Sequence, residues 1–253
     1  MIADPTKRFS DRVDNYVKYR PGYPDAVLTY LKAECHLPVG AAIADIGAGT
    51  GIFTKLLLDK GYTVYAIEPN ESMLAAAKMQ LSAYKNFIPV DGIAEATTLT
   101  KNKVDGIVCA QAFHWFNSGR TRVEFERILK PGGKAALIWN NRSTSADDFL
   151  KAYDALLKNS SIDYNKVNHQ NIGDIDFKAF FKNGSYQLKK FPNKQVFDEE
   201  GLIGRAFSSS YVPPEKSREG KKFLAMLKDI FQEHNQDGTV TFRYDTEVYT
   251  GEV

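Results

Sequence analysis

Cysteine is nearly absent from this chain, with only Cys35 and Cys109 among 253 residues. They stand far apart, which excludes a disulfide framework and any cysteine-based metal motif. Cys109 lies in an apolar run and reads as a small buried hydrophobe rather than a nucleophile. An excess of one charge is also missing: 33 basic residues against 31 acidic ones leave a net charge of +2, with no basic block or acidic tail. Nothing in that balance implies nucleic acid or a membrane surface as partner. No apolar run approaches the ~20 residues of a membrane-spanning helix. Met1 to Ser10 lack an apolar signal region. The expectation is a cytosolic protein without a metal site.

What is present is a 43% hydrophobic chain, enough for a packed core, with a regular alternation in its first half. The apolar run Ala41 to Ile46 closes on Asp45-Ile46-Gly47-Ala48-Gly49-Thr50-Gly51 and reads as a buried strand. Ile52, Phe53, Leu56 and Leu57 recur at helical spacing up to a stop at Gly61. A second strand follows from Tyr62 to Glu68, then a helix from Glu71 to Leu81 capped by Asn70. Phe87 to Asp91 and Val104 to Ala110 are further strands. Arg120 to Leu129 is a helix closed by Lys130-Pro131-Gly132-Gly133, and Lys134 to Trp139 is a fifth strand. Strands separated by helix-length segments imply right-handed crossovers and a mostly parallel sheet.

After Asn141 the rhythm changes. Phe149, Tyr153, Leu156 and Leu157 mark one amphipathic helix, and Phe223, Leu227, Ile230 and Phe231 a longer one. The stretch from Asn159 to Tyr211 reads as irregular and polar, the composition of a lid or binding segment. Val240, Phe242, Tyr244, Thr246 and Val248 alternate with polar residues as a half-buried terminal strand.

The strongest chemical signal is Asp45-x-Gly47-x-Gly49-x-Gly51 at a strand-to-helix junction. Glycines there let a ligand lie against the backbone where the chain turns, and the following helix start favours an anion. Nicotinamide and flavin proteins also use such a turn. Two residues separate the readings. Ile52 occupies the third glycine position of the dinucleotide fingerprint. Asp45 sets a carboxylate where it would repel a pyrophosphate but suit a ligand bearing an ammonium group. Glu68, 21 residues past Gly47 at the end of the second strand, is placed to accept hydrogen bonds from ribose hydroxyls.

The turn Asp45 to Gly51, the acid Glu68, the segment Gly92-Ile93-Ala94-Glu95 and the turn Leu129 to Gly133 together resemble the class I S-adenosylmethionine-dependent methyltransferases. Phe9, Tyr16, Arg20-Pro21-x-Tyr23-Pro24 and Gln111-Ala112-Phe113-His114-Trp115-Phe116 are similar to the trans-aconitate methyltransferase-like, methyltransferase type 11 branch. The resemblance covers about Phe9 to Arg142. It implies a Rossmann-like doubly wound α/β fold, with a seven-stranded mostly parallel sheet, the last strand antiparallel, and a helical lid. It implies a single S-adenosylmethionine-dependent methyltransferase domain over 1–253. Cap helices would fill 1–40, the cofactor-binding core 41–142, lid and helices 143–235, and the terminal strand 236–253.

The cofactor implied is S-adenosylmethionine. Gly47, Gly49 and Gly51, with Ala48 and Thr50 between them, would line its methionine and ribose, and Glu68 would hold the ribose hydroxyls. Pro69 and Met73 would flank the adenine, with Gly92, Ala94 and Glu95 at its edge. Relatives often carry an acid at the position of Ile93; here Glu95 takes that task. Tyr16 and Arg20 belong to a covering helix, where Arg20 is placed to pair with the methionine carboxylate, and Gln111 completes the cofactor set.

The implied reaction is methyl transfer to a small-molecule acceptor. The expected acceptor contacts are Trp115, Trp139, Asn140, Arg142, Arg205 and Tyr211. His114 is the candidate catalytic residue, a general base for a hydroxyl or amine; an ionised carboxylate acceptor needs none. Two other classes stay open on sequence: a nicotinamide oxidoreductase, which Ile52 and Asp45 oppose, and a non-catalytic cofactor-binding scaffold.

Overall fold

The computed structural model describes residues 13–162, 164 and 172–253; Phe9 lies outside them. In chain order, α1 (Val13–Tyr19) and α2 (Asp25–Glu34) precede β1 (Ala42–Ile46), α3 (Ile52–Asp59), β2 (Thr63–Ile67), α4 (Glu71–Gln80) and β3 (Phe87–Val90). Next come β4 (Val104–Ala110), α5 (Ser118–Ile128), β5 (Leu129–Arg142) and α6 (Asp148–Ser160). The chain continues through α7 (Asp174–Phe180), β6 (Gln187–Phe197), α8 (Glu199–Phe207), α9 (Arg218–His234) and β7 (Val240–Gly251). No helix among the described residues is long and apolar enough to cross a membrane.

The seven strands form one sheet in the order β3-β2-β1-β4-β5-β7-β6. β1 to β5 pair in parallel, and β7 runs antiparallel to both of its neighbours. The order reverses between β1 and β4, and ligands of open α/β sheets bind at such a switch point, beyond the carboxyl ends of the strands. The sheet therefore aims the glycine turn and the loop after β4 at one crevice.

Strand alternation sorts side chains onto two faces. Ile43, Val108 and Ile138 pack on one face with Leu31 of α2 and Phe53 of α3. Ala44, Cys109 and Trp139 pack on the other, with Phe125 of α5 and Phe177 of α7. A third cluster joins α6, α8 and α9 to Phe242 and Tyr244 of β7. Both cysteines are free and buried.

Three sequence expectations change. The fifth strand does not end at Trp139: pairing with β7 carries it through Asn140↔Thr246 to Arg142↔Tyr244. The Lys130–Gly133 turn falls inside β5, where the register against β4 shifts between Val104 and Gly106. The stretch from Asn159 to Tyr211 is not wholly irregular, since it holds α7, β6 and α8. β6 is an edge strand, so its exposed residues carry no second apolar face to read. Lys189, Lys190, Pro192 and Lys194 protect that edge. Helix α8 contains Gly201 and Gly204, poor helix formers. Asp198 caps it by accepting from the Gly201 N–H at 2.8 Å.

Candidate functional site

Two connected clefts open beyond the carboxyl ends of β1, β2, β4 and β5. The first is lined by Gly47, Gly49, Glu68, Pro69 and Met73 on one side. Gly92, Ile93, Ala94, Glu95 and Phe116 face them. The second is roofed by Tyr16 of α1, by Arg20 just after that helix, and by Arg205, Ser210 and Tyr211 around the end of α8. Its floor includes Asp45, Ala48, His114, Asn140 and Arg142. Tyr16, Gly47, Ala110, Gln111 and Trp115 line both, so they form the neck between the clefts.

In the first cleft, the turn after β1 is held from behind by its neighbours. Gly47 N–H and Ala48 N–H both donate to the Ile67 carbonyl, at 2.9 and 3.1 Å. Gly47 has φ +71°, and a Cβ there would stand 2.5 Å from the Ala112 Cβ, so only glycine lets β1 and the loop after β4 come this close. Gly49 also has positive φ, +57°, but a Cβ there would meet open space. Its missing side chain makes room on the cleft side.

Glu68 is 8% exposed. Its Oε2 accepts from the Gly49 N–H at 2.8 Å and its Oε1 from the Asn70 N–H at 2.9 Å. Burial raises its carboxyl above the ordinary range, while those two backbone hydrogen bonds pull it back. A charged acceptor fixed at this height, beside open space over Gly49, fits the two hydroxyls of a ribose. Glu95 Oε1 accepts from the Asn117 N–H at 2.6 Å, so its carboxylate secures the start of α5 while lining the cleft. Ile93 is 44% exposed beside it and presents an apolar edge.

Asp45 faces the second cleft rather than the first, because it shares the sheet face of Ile43. It is 1% exposed, and its Oδ2 accepts from the Thr54 hydroxyl at 2.6 Å. Burial pushes its carboxyl up to about 7, and Glu68 adds to the rise against the Thr54 bond. Among the described residues its Oδ1 has no hydrogen-bond partner. That acceptor suits the ammonium of an amino-acid moiety reaching through the neck. Gln111 guards the neck with φ +60°, a conformation costing a non-glycine residue about 1–2 kcal/mol. Its N–H donates to the Ile138 carbonyl at 2.8 Å.

Three arginines from three separate elements meet in the second cleft. Arg20 donates through Nη2 to the Ser208 carbonyl at 2.9 Å and stacks 4.8 Å from the Tyr16 ring centre. Arg142 lies 3.3 Å from Asp154 Oδ1 and donates to the Tyr164 hydroxyl at 3.0 Å. Arg205 is 8% exposed and donates to the Ser209 hydroxyl at 3.1 Å. Each guanidinium retains one buried nitrogen without a partner among the described residues: Nε of Arg20, Nη1 of Arg142 and Nε of Arg205. Burial and the nearby Arg205 lower the pKa of Arg20. For Arg142, burial works against the charge, but the phenols of Tyr153, Tyr211 and Tyr164 outweigh it. A buried charged donor left unsatisfied costs more than the ~1–3 kcal/mol of a neutral one.

His114 lines the second cleft. Trp139 Nε1 stands 3.5 Å from its Nδ1, the outer limit of a hydrogen bond. The His114 and Trp115 rings lie 4.7 Å apart.

Most sequence-predicted residues therefore come together, but three do not line either cleft. Trp139 follows Ile138 and so faces the opposite side of the sheet, packed edge-on against Phe113 and Tyr249. Gly51 turns toward α4, where a Cβ would stand 2.7 Å from Leu81 Cδ1. Thr50 is buried beneath the turn at 2% exposure. Arg20, expected to pair with the methionine carboxylate, lines the second cleft together with Asp45, Arg142 and Arg205. Tyr164 lines the second cleft without a sequence signal, as do Tyr23, legible only as part of the Arg20–Pro24 motif, and Tyr244, legible only as an inward residue of the terminal strand.

Comparison with known proteins agrees with this geometry. Residues 44–137 match the family model described as a methyltransferase domain. An uncharacterised methyltransferase of Mycobacterium bovis is 36% identical over 140 residues, 55% of this chain and 54% of that protein. The chain spans about half the length of the curated relatives it matches. A type II methyltransferase candidate from Anaeromyxobacter dehalogenans superimposes with TM-score 0.71 at 19% identity, over 92% of this chain and 98% of that one. A methyltransferase from Thiobacillus denitrificans in complex with S-adenosylhomocysteine gives TM-score 0.50 at 17% identity, over 94% and 97% of the two chains. The chain thus has the fold of S-adenosylmethionine-dependent methyltransferases, and S-adenosylmethionine is the cofactor its first cleft fits.

Proposed function

We propose that the protein transfers a methyl group from S-adenosylmethionine to a small carboxylate acceptor held in the second cleft. The observation that carries this reading is the convergence of Arg20, Arg142 and Arg205, each with an unpartnered buried nitrogen, on a cavity joined to the cofactor cleft. S-adenosylmethionine supplies an electrophilic methyl on a sulfonium centre. The chain's own task is to aim a nucleophile at it and to keep water out.

Glu68 and the Gly47–Gly49 backbone hold the adenosine end in the first cleft. Asp45 receives the ammonium, and Tyr16, Gln111 and Trp115 enclose the neck where the two ligands meet. The arginines take one or more carboxylate oxygens of the acceptor through charge-assisted hydrogen bonds. They leave a further oxygen facing the neck. Such a nucleophile is ionised at neutral pH, so His114 serves as a polar wall residue rather than a proton acceptor.

The test is a screen of carboxylic acids, phenols and amines with S-adenosylmethionine, read by S-adenosylhomocysteine release and mass spectrometry of the product. A methyl ester is the expected product. Methylated amines or phenols, with no ester, would overturn the carboxylate reading and restore His114 as a base.

A further inference from the structure

The wall of the first cleft that faces the glycine turn is a loop, residues 91–103 between β3 and β4. Gly92, Ile93, Ala94 and Glu95 line the cleft from it. Within the loop, sheet-like pairing is limited to an isolated bridge between Ile93 and Ala96. Its remaining backbone groups need partners from elsewhere, and helix α5 supplies them.

The inward face of α5 is apolar at Phe125 and Ile128, yet it also buries an acid, Glu124. Glu124 Oε1 accepts from the Thr97 N–H at 2.8 Å and from the Thr97 hydroxyl at 2.5 Å. Arg127, one turn further along, grips the same carboxylate in a two-pronged pair. Its Nε donates to Oε2 and its Nη2 to Oε1, both at 2.7 Å. The same Nη2 donates to the Leu99 carbonyl at 2.7 Å. Burying a carboxylate carries a desolvation cost that an apolar side chain would avoid. The four hydrogen bonds on Glu124 offset it, and two of them hold the loop.

Thr97 and Leu99 are thus anchored from one helix, and Thr98 between them has φ +66°. Positive φ is exceptional for a β-branched residue, and such strain persists only where the surroundings over-determine it. Thr97 also stands directly behind the cleft: a Cβ on Gly92 would lie 3.2 Å from the Thr97 carbonyl oxygen. Glu95 secures the same loop to the start of α5 through the Asn117 N–H at 2.6 Å, but Glu95 itself lines the cleft. Glu124 reaches the cleft only through the residues it holds.

We propose that Glu124 is a positioning residue for the cofactor: acting through Thr97, with Arg127 holding Leu99, it sets Gly92, Ile93, Ala94 and Glu95 against the adenosine end of S-adenosylmethionine. The inference rests on the first cleft being the cofactor's and is independent of the acceptor.

The experiment measures binding of S-adenosylhomocysteine and of 5′-methylthioadenosine, which lacks the amino-acid end, by calorimetry. Wild type is compared with Glu124→Ala, Glu124→Gln, Thr97→Val and the Glu124→Gln/Thr97→Val double variant, at a temperature where circular dichroism shows each folded. Leu227→Ala, in the buried cluster around α9, is the control destabilised far from the loop. Glu124→Ala should weaken both ligands by about tenfold, on the scale of hydrogen bonds to a charged group. Glu124→Gln, which keeps an oxygen for Thr97, should recover part of that affinity. Thr97→Val should also bind more weakly, and the double variant should lose less than the two single losses combined, because both act on one link. Leu227→Ala should melt lower and bind as wild type does. If the Glu124 and Thr97 variants melt lower but bind both ligands normally, Glu124 is structural only and the proposal fails. It fails equally if Leu227→Ala loses as much affinity, or if S-adenosylhomocysteine weakens while 5′-methylthioadenosine does not. Wild type that binds neither ligand would overturn the cofactor reading itself, and the proposal with it.

Discussion

The Gly49 N–H donates to Glu68 Oε2 at 2.8 Å, so the turn after β1 and the end of β2 are tied together at the point where a ribose would rest. The acid therefore both shapes the glycine turn and offers its charge to a ligand. Glu68→Ala should weaken S-adenosylmethionine binding by about 1–3 kcal/mol, the loss expected for hydrogen bonds to a charged group. Calorimetry measures this directly. An unchanged dissociation constant would remove Glu68 from the cofactor's contacts.

Gly49 tests the open side of the same turn. At φ +57° any side chain is strained, by about 1–2 kcal/mol, so Gly49→Ala and Gly49→Val should both unfold at lower temperature. Valine also fills the space over the turn, and it should lose far more cofactor affinity than alanine does. Equal binding by the two folded variants would mean that the ligand does not approach Gly49.

Asp45 makes both stability and cofactor binding depend on pH. Its folded-state pKa of about 7 lies above the unfolded value near 3.9. The folded protein thus holds a proton that the unfolded chain releases, and stability of the free protein falls as pH rises from about 4 to about 7. Asp45→Asn should flatten that fall. Cofactor affinity runs the other way, rising through pH 7 as Asp45 ionises to meet the ammonium, with proton release on binding. Calorimetry in buffers of different ionisation enthalpy reads that proton, and the same enthalpy in all buffers would contradict the coupling.

Acceptor recognition should separate Arg142 from His114. Arg142→Gln removes a charged donor and should raise KM for the carboxylate roughly tenfold or more, from about 1.5–3 kcal/mol per charged hydrogen bond. His114→Asn should change kcat only slightly, and the wild-type kcat at saturating cofactor should show no loss near pH 6.5, the ordinary histidine range. A large drop in the His114 variant, accompanied by disappearance of an acidic limb, would show that proton removal is part of the reaction.

The roof of the second cleft depends on α1 lying against α8, where a Cβ on Gly204 would collide with the Tyr19 ring. Lys18 and Tyr19 reach Glu200 from the same side. Gly204→Ala should therefore push α1 outward, costing about 1–3 kcal/mol of stability as overpacking does, and should raise KM for the acceptor through displacement of Arg20. Thermal unfolding and steady-state kinetics check both. A variant as stable and active as wild type would show that α1 yields freely.

The cofactor side was legible because its information is local. An apolar run followed by glycines dictates a strand and a tight turn whatever surrounds them, and Asn70 caps α4 through its own neighbour Met73. The second cleft was only partly legible. Arg142 and Asn140 could be proposed from their place after the fifth strand, but the sequence also offered Trp139. Pairing of β5 with β7 extends the strand and leaves Asn140 lining the second cleft and Trp139 on the opposite face.

By itself, then, the sequence determined the doubly wound frame, the glycine turn and the acid at the end of β2. Each follows from backbone geometry and side-chain periodicity within a few residues, or from the fixed length of one strand-helix-strand unit. Only the tertiary structure decided that Arg20 belongs with Arg142 and Arg205, that Tyr211 stands among them, and that Gly51 and Trp139 face away from the clefts. Those positions depend on the docking of α1 against α8 and on the register between β5 and β7. Such contacts join residues far apart in the chain, and no local pattern encodes their convergence.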